Sequence, residues 1–140
     1  MGIEENKAVY RRFIDEVFNQ GKLDSLDQFL APGYVVQDAP PGTPPGPEGV
    51  KQAVTMFRQA FPDLQITLDQ LVAEGDWVCS RATTRGTHRG PFMGIEPTGR
   101  KVEMRGLTMV RIVDGRLTES WVKNDVMSLM TQLGAAPRAA

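Results

Sequence analysis

The sequence predicts an α+β fold in which helices are segregated to one face of a mainly antiparallel sheet. Three observations predict it. Apolar residues recur at helical spacing from Val9 to Phe61. From Leu64 onward the period changes to two. Glu74-Gly75-Asp76 and Asp114-Gly115 then supply tight turns between the alternating segments.

The elements follow in order. Glu4 to Gln20 reads as an amphipathic helix, because Val9, Phe13 and Val17, and again Tyr10, Ile14 and Phe18, repeat every fourth residue. Gly21 suits its C-terminal cap. Leu23 to Leu30 reads as a shorter helix stopped by Pro32-Gly33. Tyr34 to Asp38 is a short strand. Five of the ten prolines crowd into Ala39–Pro47, which excludes helix and central strand there and implies a stiff loop crossing a mouth. Pro47 fits the first position of a helix running to about Phe61, with Val50, Val54, Phe57 and Phe61 as its apolar stripe.

In the second half, Leu64, Ile66 and Leu68 alternate with polar residues as a strand does. Trp77 to His88, Lys101 to Val113 and Leu117 to Asn124 read as three long strands, and Arg89 to Arg100 as a loop. Asp125 is placed to cap a last helix ending at Gly134, after which Ala135–Ala140 reads as a frayed tail. Helices laid across a long, curling sheet leave a cone-shaped interior, a common form of small-molecule pocket.

Composition narrows the function. The 140 residues fit one domain, 1–140, with 41 % hydrophobic and 24 % charged residues. Lys+Arg total 16 against 17 Asp+Glu, without the basic stripe of a nucleic-acid binder or the polybasic patch of a membrane-surface anchor. No apolar run has the length of a membrane span, and the polar start lacks the apolar stretch of a signal peptide, so the expected location is the cytoplasm. One cysteine, Cys79, permits no internal disulfide and is expected to be a buried thiol. With one histidine and one cysteine, no metal site is expected.

Gly86 to Gly99 reads G-T-H-R-G-P-F-M-G-I-E-P-T-G and resembles the signature loop of the SnoaL-like polyketide cyclases, or ester cyclases, of the nuclear transport factor 2-like superfamily. Gly46–Lys51, Ala60–Leu64, Arg111–Arg116, Glu119-x-Trp121-x-x-x-Asp125 and Gln132–Gly134 extend the resemblance over nearly the whole chain. It implies a cone-shaped barrel of a curved, mixed, mainly antiparallel sheet wrapped around the N-terminal helices. It further implies a small apolar organic ligand, no cofactor, and a homodimer formed through the outer face of the sheet. Ring-closing members perform an intramolecular aldol reaction in which a carboxylate moves the proton and a histidine helps to hold the substrate. Residue by residue, the carboxylate position is Val122 here and the histidine position Thr108, while two further pocket positions are Phe18 and Ala53. None of the four carries an acid or base. Two readings follow: a cyclase- or isomerase-like enzyme with an altered site, or a binding protein without catalysis.

The remaining candidates each have two explanations. His88 could shuttle a proton or contact substrate; a hydrogen bond anchoring its loop explains it as well. Asp125 could act as a base, or simply cap its helix for about 1 kcal/mol. Gln37 and Asn124 could donate hydrogen bonds to a substrate carbonyl, and alternation favours Gln37 over Asp38 for the interior. Tyr34, Met56, Phe57 and Trp121 could line the cone, as could Met104, Met109 and Trp77, although all suit a core. Arg81, Arg105 and Arg111 with Glu103 could form the buried arginine–carboxylate set of an epoxide hydrolase, a third reading. Cross-strand ion pairs on the solvent face explain them equally.

Overall fold

The structure, a computed structural model, describes residues 2–135. The chain begins with α1 (Ile3–Phe13), which buries Asn6, Tyr10 and Phe13. The expected single helix changes its winding halfway, and Ile14–Asn19 is π-helical. The Gln20 N–H reaches back five residues to Asp15 O at 2.9 Å. Such wider turns are rare and concentrate at functional sites. Arg58 holds this end in place, its Nη1 donating to Phe18 O and Asn19 O at 2.9 and 2.8 Å.

The second predicted helix is shorter than expected. A 3-10 turn (Leu23–Ser25) leads into α2 (Leu26–Phe29), and β1 (Leu30–Gln37) starts at once. Pro32-Gly33 therefore lies inside a strand rather than ending a helix. An edge strand tolerates this, since its outward N–H groups need no partner, and the register shifts between Leu30 and Val35 to absorb it. Helix α3 (Pro47–Ala60) matches its prediction, with Pro at the N-terminal position.

Strands β2 (Gln65–Glu74), β3 (Trp77–Thr87), β4 (Lys101–Val113) and β5 (Arg116–Asn124) form the expected antiparallel meander. β1 adds to β5 in parallel, giving the order β1-β5-β4-β3-β2. The sheet is mixed and remains open, with helices covering one face. Helix α4 (Val126–Gln132) ends the described chain. Of the predicted frayed tail, all but Ala135 lies outside the described residues.

Two apolar clusters sit on the covered face. In one, Val78, Val110, Ile112 and Leu117 of the sheet meet Tyr10, Phe13, Val17, Phe29 and Val54 of the helices. In the other, Val102 and Met104 meet Phe61, Phe92, Leu129 and Leu133. Helix α3 bridges them, giving Val50 and Val54 to the first and Ala60 to the second. The loop after β3 is tied down by Arg89 N and Gly90 N, which donate to Ala60 O at 2.9 and 3.1 Å. A side chain at Gly90 would strike the backbone of Gln59, so only glycine permits this contact.

Candidate functional site

Cross-strand register sorts the side chains by face. Ser80, Thr108 and Val122 lie side by side on β3, β4 and β5, and Gly106 faces Asn124 one step further along. Their alternate neighbours Val110 and Ser120 are buried against the helices, so all belong to the covered face. Yet Thr108 and Gly106 are only half-buried, Asn124 is exposed, and Val122 is 37 % exposed. The two buried clusters thus leave a strip of the covered face open between them. Phe18 on the π-helical turn and Ala53 and Phe57 on α3 are half-buried, and Met56 is exposed. The Phe57 ring lies 5.5 Å from that of Phe92, a wall shared with the second cluster.

The Asn124 amide lies across Gly106, in the space any larger residue at 106 would fill. At the inner end of the strip stands a group of hydroxyls. Tyr34 Oη donates to Ser120 Oγ at 2.7 Å. Tyr10 is buried in the same cluster as Tyr34. Burial pushes both phenols up; Tyr34 reaches about 12, with the Ser120 hydrogen bond opposing the shift and Tyr10 adding to it. Ser80 Oγ is buried without a hydrogen-bond partner. The inward positions of β3, β4 and β5 carry no ionisable side chain. What this strip can do is hold an apolar body and offer hydroxyl and amide hydrogen bonds to an oxygen.

Several predicted site residues lie elsewhere. Gln37 pairs with Trp121 across the β1–β5 register, and both point to the uncovered face. There the Gln37 amide and the Trp121 indole N–H each donate to Glu119 Oε2 at 3.1 Å. The inward residues of β1 are Tyr34 and Val36, one register step away from the position expected of Gln37. His88 is 0 % exposed. Its Nδ1 accepts from Thr98 N at 3.1 Å and lies 3.0 Å from Thr98 Oγ1, which anchors the signature loop. Asp125 caps α4, accepting from Ser128 N at 3.0 Å. It lines a separate groove of about 840 Å³ on the uncovered face, with Asp63, Arg85, Lys101, Glu103 and Arg105. In that groove Thr87 N and Oγ1 both donate to Asp63 at 2.7 Å and hold its carboxyl below the usual range. Thr108, Val122 and Asn124 share the strip by register, and Phe18, Ala53 and Phe57 are half-buried on the π-helical turn and α3; His88, Asp125, Gln37 and Trp121 lie elsewhere.

The strand arginines also face outward. Arg81 pairs with Asp69 at 4.0 Å, Arg85 with Glu103 at 2.7 Å and Arg111 with Asp76 at 3.6 Å, all substantially exposed. The buried arginine–carboxylate set of the epoxide-hydrolase reading is not formed among the described residues. Nor is there a cluster of metal-binding side chains among them, or a helix long and apolar enough to cross a membrane. The sequence reading missed Tyr10, Ser80 and Ser120. Tyr10 sat in a helical apolar stripe and was read as core. The signal was two serines at inward positions of otherwise apolar strands.

This open mixed sheet with helices over one face is a fold of the nuclear transport factor 2-like kind. The chain belongs to the SnoaL-like polyketide cyclase family, whose description matches residues 8–133. It is 31 % identical over 128 residues to the aklanonic acid methyl ester cyclase DauD of Streptomyces sp. (strain C5), covering 89 % of this chain and 78 % of that protein. It is 29 % identical over 120 residues to the nogalonic acid methyl ester cyclase of Streptomyces nogalater, covering 84 % and 89 %. Among solved structures, TsrD from Streptomyces laurentii superposes with a TM-score of 0.87 at 31 % identity over 96 % of this chain and 98 % of that one. IdmH from Streptomyces antibioticus does so with 0.79 at 38 % identity over 92 % and 98 %.

Proposed function

We propose that this chain binds a small, mostly apolar polyketide-like molecule along the open strip and closes a ring in it without a cofactor. The acid–base equipment differs from that of its relatives. The observation that carries this reading is the composition of the strip: aromatic and aliphatic walls, one amide, a group of hydroxyls and no ionisable side chain on the inward strand positions. The second reading, binding without catalysis, is favoured by Val122 and Thr108, which stand where the resemblance puts the carboxylate and the histidine.

The test is incubation with aklanonic acid methyl ester and nogalonic acid methyl ester, the compounds named for two relatives. An intramolecular ring closure keeps the mass and changes the chromatographic retention. Conversion would support the cyclase reading. Saturable binding without conversion would favour the second. If neither ester binds, both readings fail for this substrate class.

We further propose that a second copy covers the outer face of the sheet, where Val72, Cys79, Met109 and Trp121 form one cross-strand row flanked by exposed Leu107 and Val35. Sedimentation should give a dimer that Trp121→Glu converts to monomer. A wild-type monomer would end the idea.

A further inference from the structure

We propose that Asn124 recognises a carbonyl oxygen of the bound molecule, donating to it from Nδ2, and that Gly106 is the seat that holds this amide in place. The proposal rests on the ligand-binding reading above and assigns it one polar contact and a position.

Register builds the place. Leu68, Ala82, Gly106 and Asn124 lie side by side on β2, β3, β4 and β5, one inward row across the sheet. Leu71, Ser80, Thr108 and Val122 form the next row. Ala82 and Gly106 are the two smallest residue types, so the first row has a notch in its middle. Gly106 lies inside a strand of 13 residues. Its pairing is continuous, the shift on the β5 side falling between Arg111 and Ile112, and its φ is not positive. No turn or bulge there calls for glycine, which otherwise weakens a strand. The notch is filled by Asn124, whose Oδ1 and Cγ occupy the space a Cβ at position 106 would need.

The amide is spare. The neighbouring side chains on β5 and α4 are engaged, Lys123 with Asp38 at 3.3 Å and Asp125 with Ser128 N at 3.0 Å. That of Asn124 is exposed and bonds no described residue. With Oδ1 turned onto Gly106, Nδ2 is left for the strip. Val122, two residues back on the same face, is 37 % exposed and marks the opening. Ser80 in that next row is buried, and its Oγ has no partner, an unmet hydrogen bond beside the notch.

The chemistry selects a neutral oxygen. A side-chain amide donates two hydrogens and carries no charge. Between apolar walls, a single well-placed polar contact fixes a ligand's orientation. An amide already seated on glycine loses less freedom when the ligand arrives. Asn124 touches the ligand, and Gly106 is a positioning residue that acts through it.

Fluorenone and fluorene test this. Both are flat tricyclic molecules of nearly the same shape, one with a carbonyl oxygen where the other has a methylene group. Equilibrium dialysis gives the two affinities, and the infrared stretch of bound fluorenone reports whether its carbonyl accepts a hydrogen bond. In the wild-type protein that stretch should lie below its position in hexane. Asn124→Leu should return it toward the hexane position and weaken fluorenone about fivefold, the scale of one neutral hydrogen bond. Fluorene binding should stay unchanged. Gly106→Ala should weaken fluorenone alike, with no further loss on adding Asn124→Leu. If Gly106→Ala does not fold, Asn124→Asp, which keeps the shape and loses the donor, must reproduce the loss for fluorenone. An unshifted stretch, an unchanged fluorenone affinity in Asn124→Leu, or equal weakening of both molecules would overturn the contact while ligand binding stands. A further loss in the double variant would overturn the seat. If the wild-type protein binds neither molecule, the ligand-binding reading falls and the contact with it.

Discussion

The two faces of β5 are built from neighbouring residues and do opposite things. Leu117, Ser120, Val122 and Asn124 look toward the helices, where they form core, hydroxyl group and open strip. Glu119, Trp121 and Lys123 look away, joining ion pairs and an exposed apolar row. A step of one residue decides between them. Trp121 and Val122 were equally plausible pocket residues by type. The difference teaches that in this fold, register carries more functional information than residue chemistry.

That contrast can be broken or sharpened by substitution. The largest effect should come from the covered face. Leu117→Ala empties a site that is 0 % exposed and should cost about 2–5 kcal/mol in urea unfolding. A cost below about 1 kcal/mol would mean that β5 is not pinned through this face. Next comes pH. An unfolded tyrosine ionises near 10.0 and folded Tyr34 near 12. The raised value stabilises the fold fully below pH 10, and this is lost as pH rises toward 12, amounting to about 2–3 kcal/mol. Thermal melts should fall across that window, and Tyr34→Phe should flatten the fall.

Gly106→Ala comes third, at about 1–3 kcal/mol, because its methyl group would displace the Asn124 amide. Adding Asn124→Ala should recover much of that loss; a strictly additive double variant would show that the two do not touch. The smallest effect belongs to the other face. Arg85→Ala removes an exposed pair with Glu103 and should change stability by about 0–1 kcal/mol. A loss comparable to that of Leu117→Ala would erase the contrast between the faces.

Much of the fold was legible because the local signals were unambiguous. Lys101 to Val113 ends where its Asp-Gly turn begins, and α3 starts at its proline, as expected. The π-helical turn was not legible, since Ile14–Asn19 has the spacing of an ordinary helix. Nor was the start of β1, because Pro32-Gly33 looks like a stop unless the strand is known to lie at an edge. Parallel pairing of β1 with β5 depends on how residues far apart in sequence meet. For the site, resemblance named Val122 and Thr108, which the register sets side by side. It could not tell that Gln37 would turn outward, because the register of a parallel edge strand is set by its partner. Asp125 was legible as a cap from its place just before the last predicted helix.

Two amide side chains at opposite places in the sheet have a consequence for how the protein behaves at high concentration. Asn19 donates to Ile66 O and accepts from Ile66 N at 3.0 and 2.7 Å, imitating a strand against β2. Gln132 does the same to Glu103 of β4, where β5 has run out, at 2.6 and 2.9 Å. With Pro32 in the other edge strand, places where a foreign strand could start zipping on are already taken or lack a donor. The chain is thereby guarded against fibrous aggregation along its edges, while its broad outer face stays available for orderly contact.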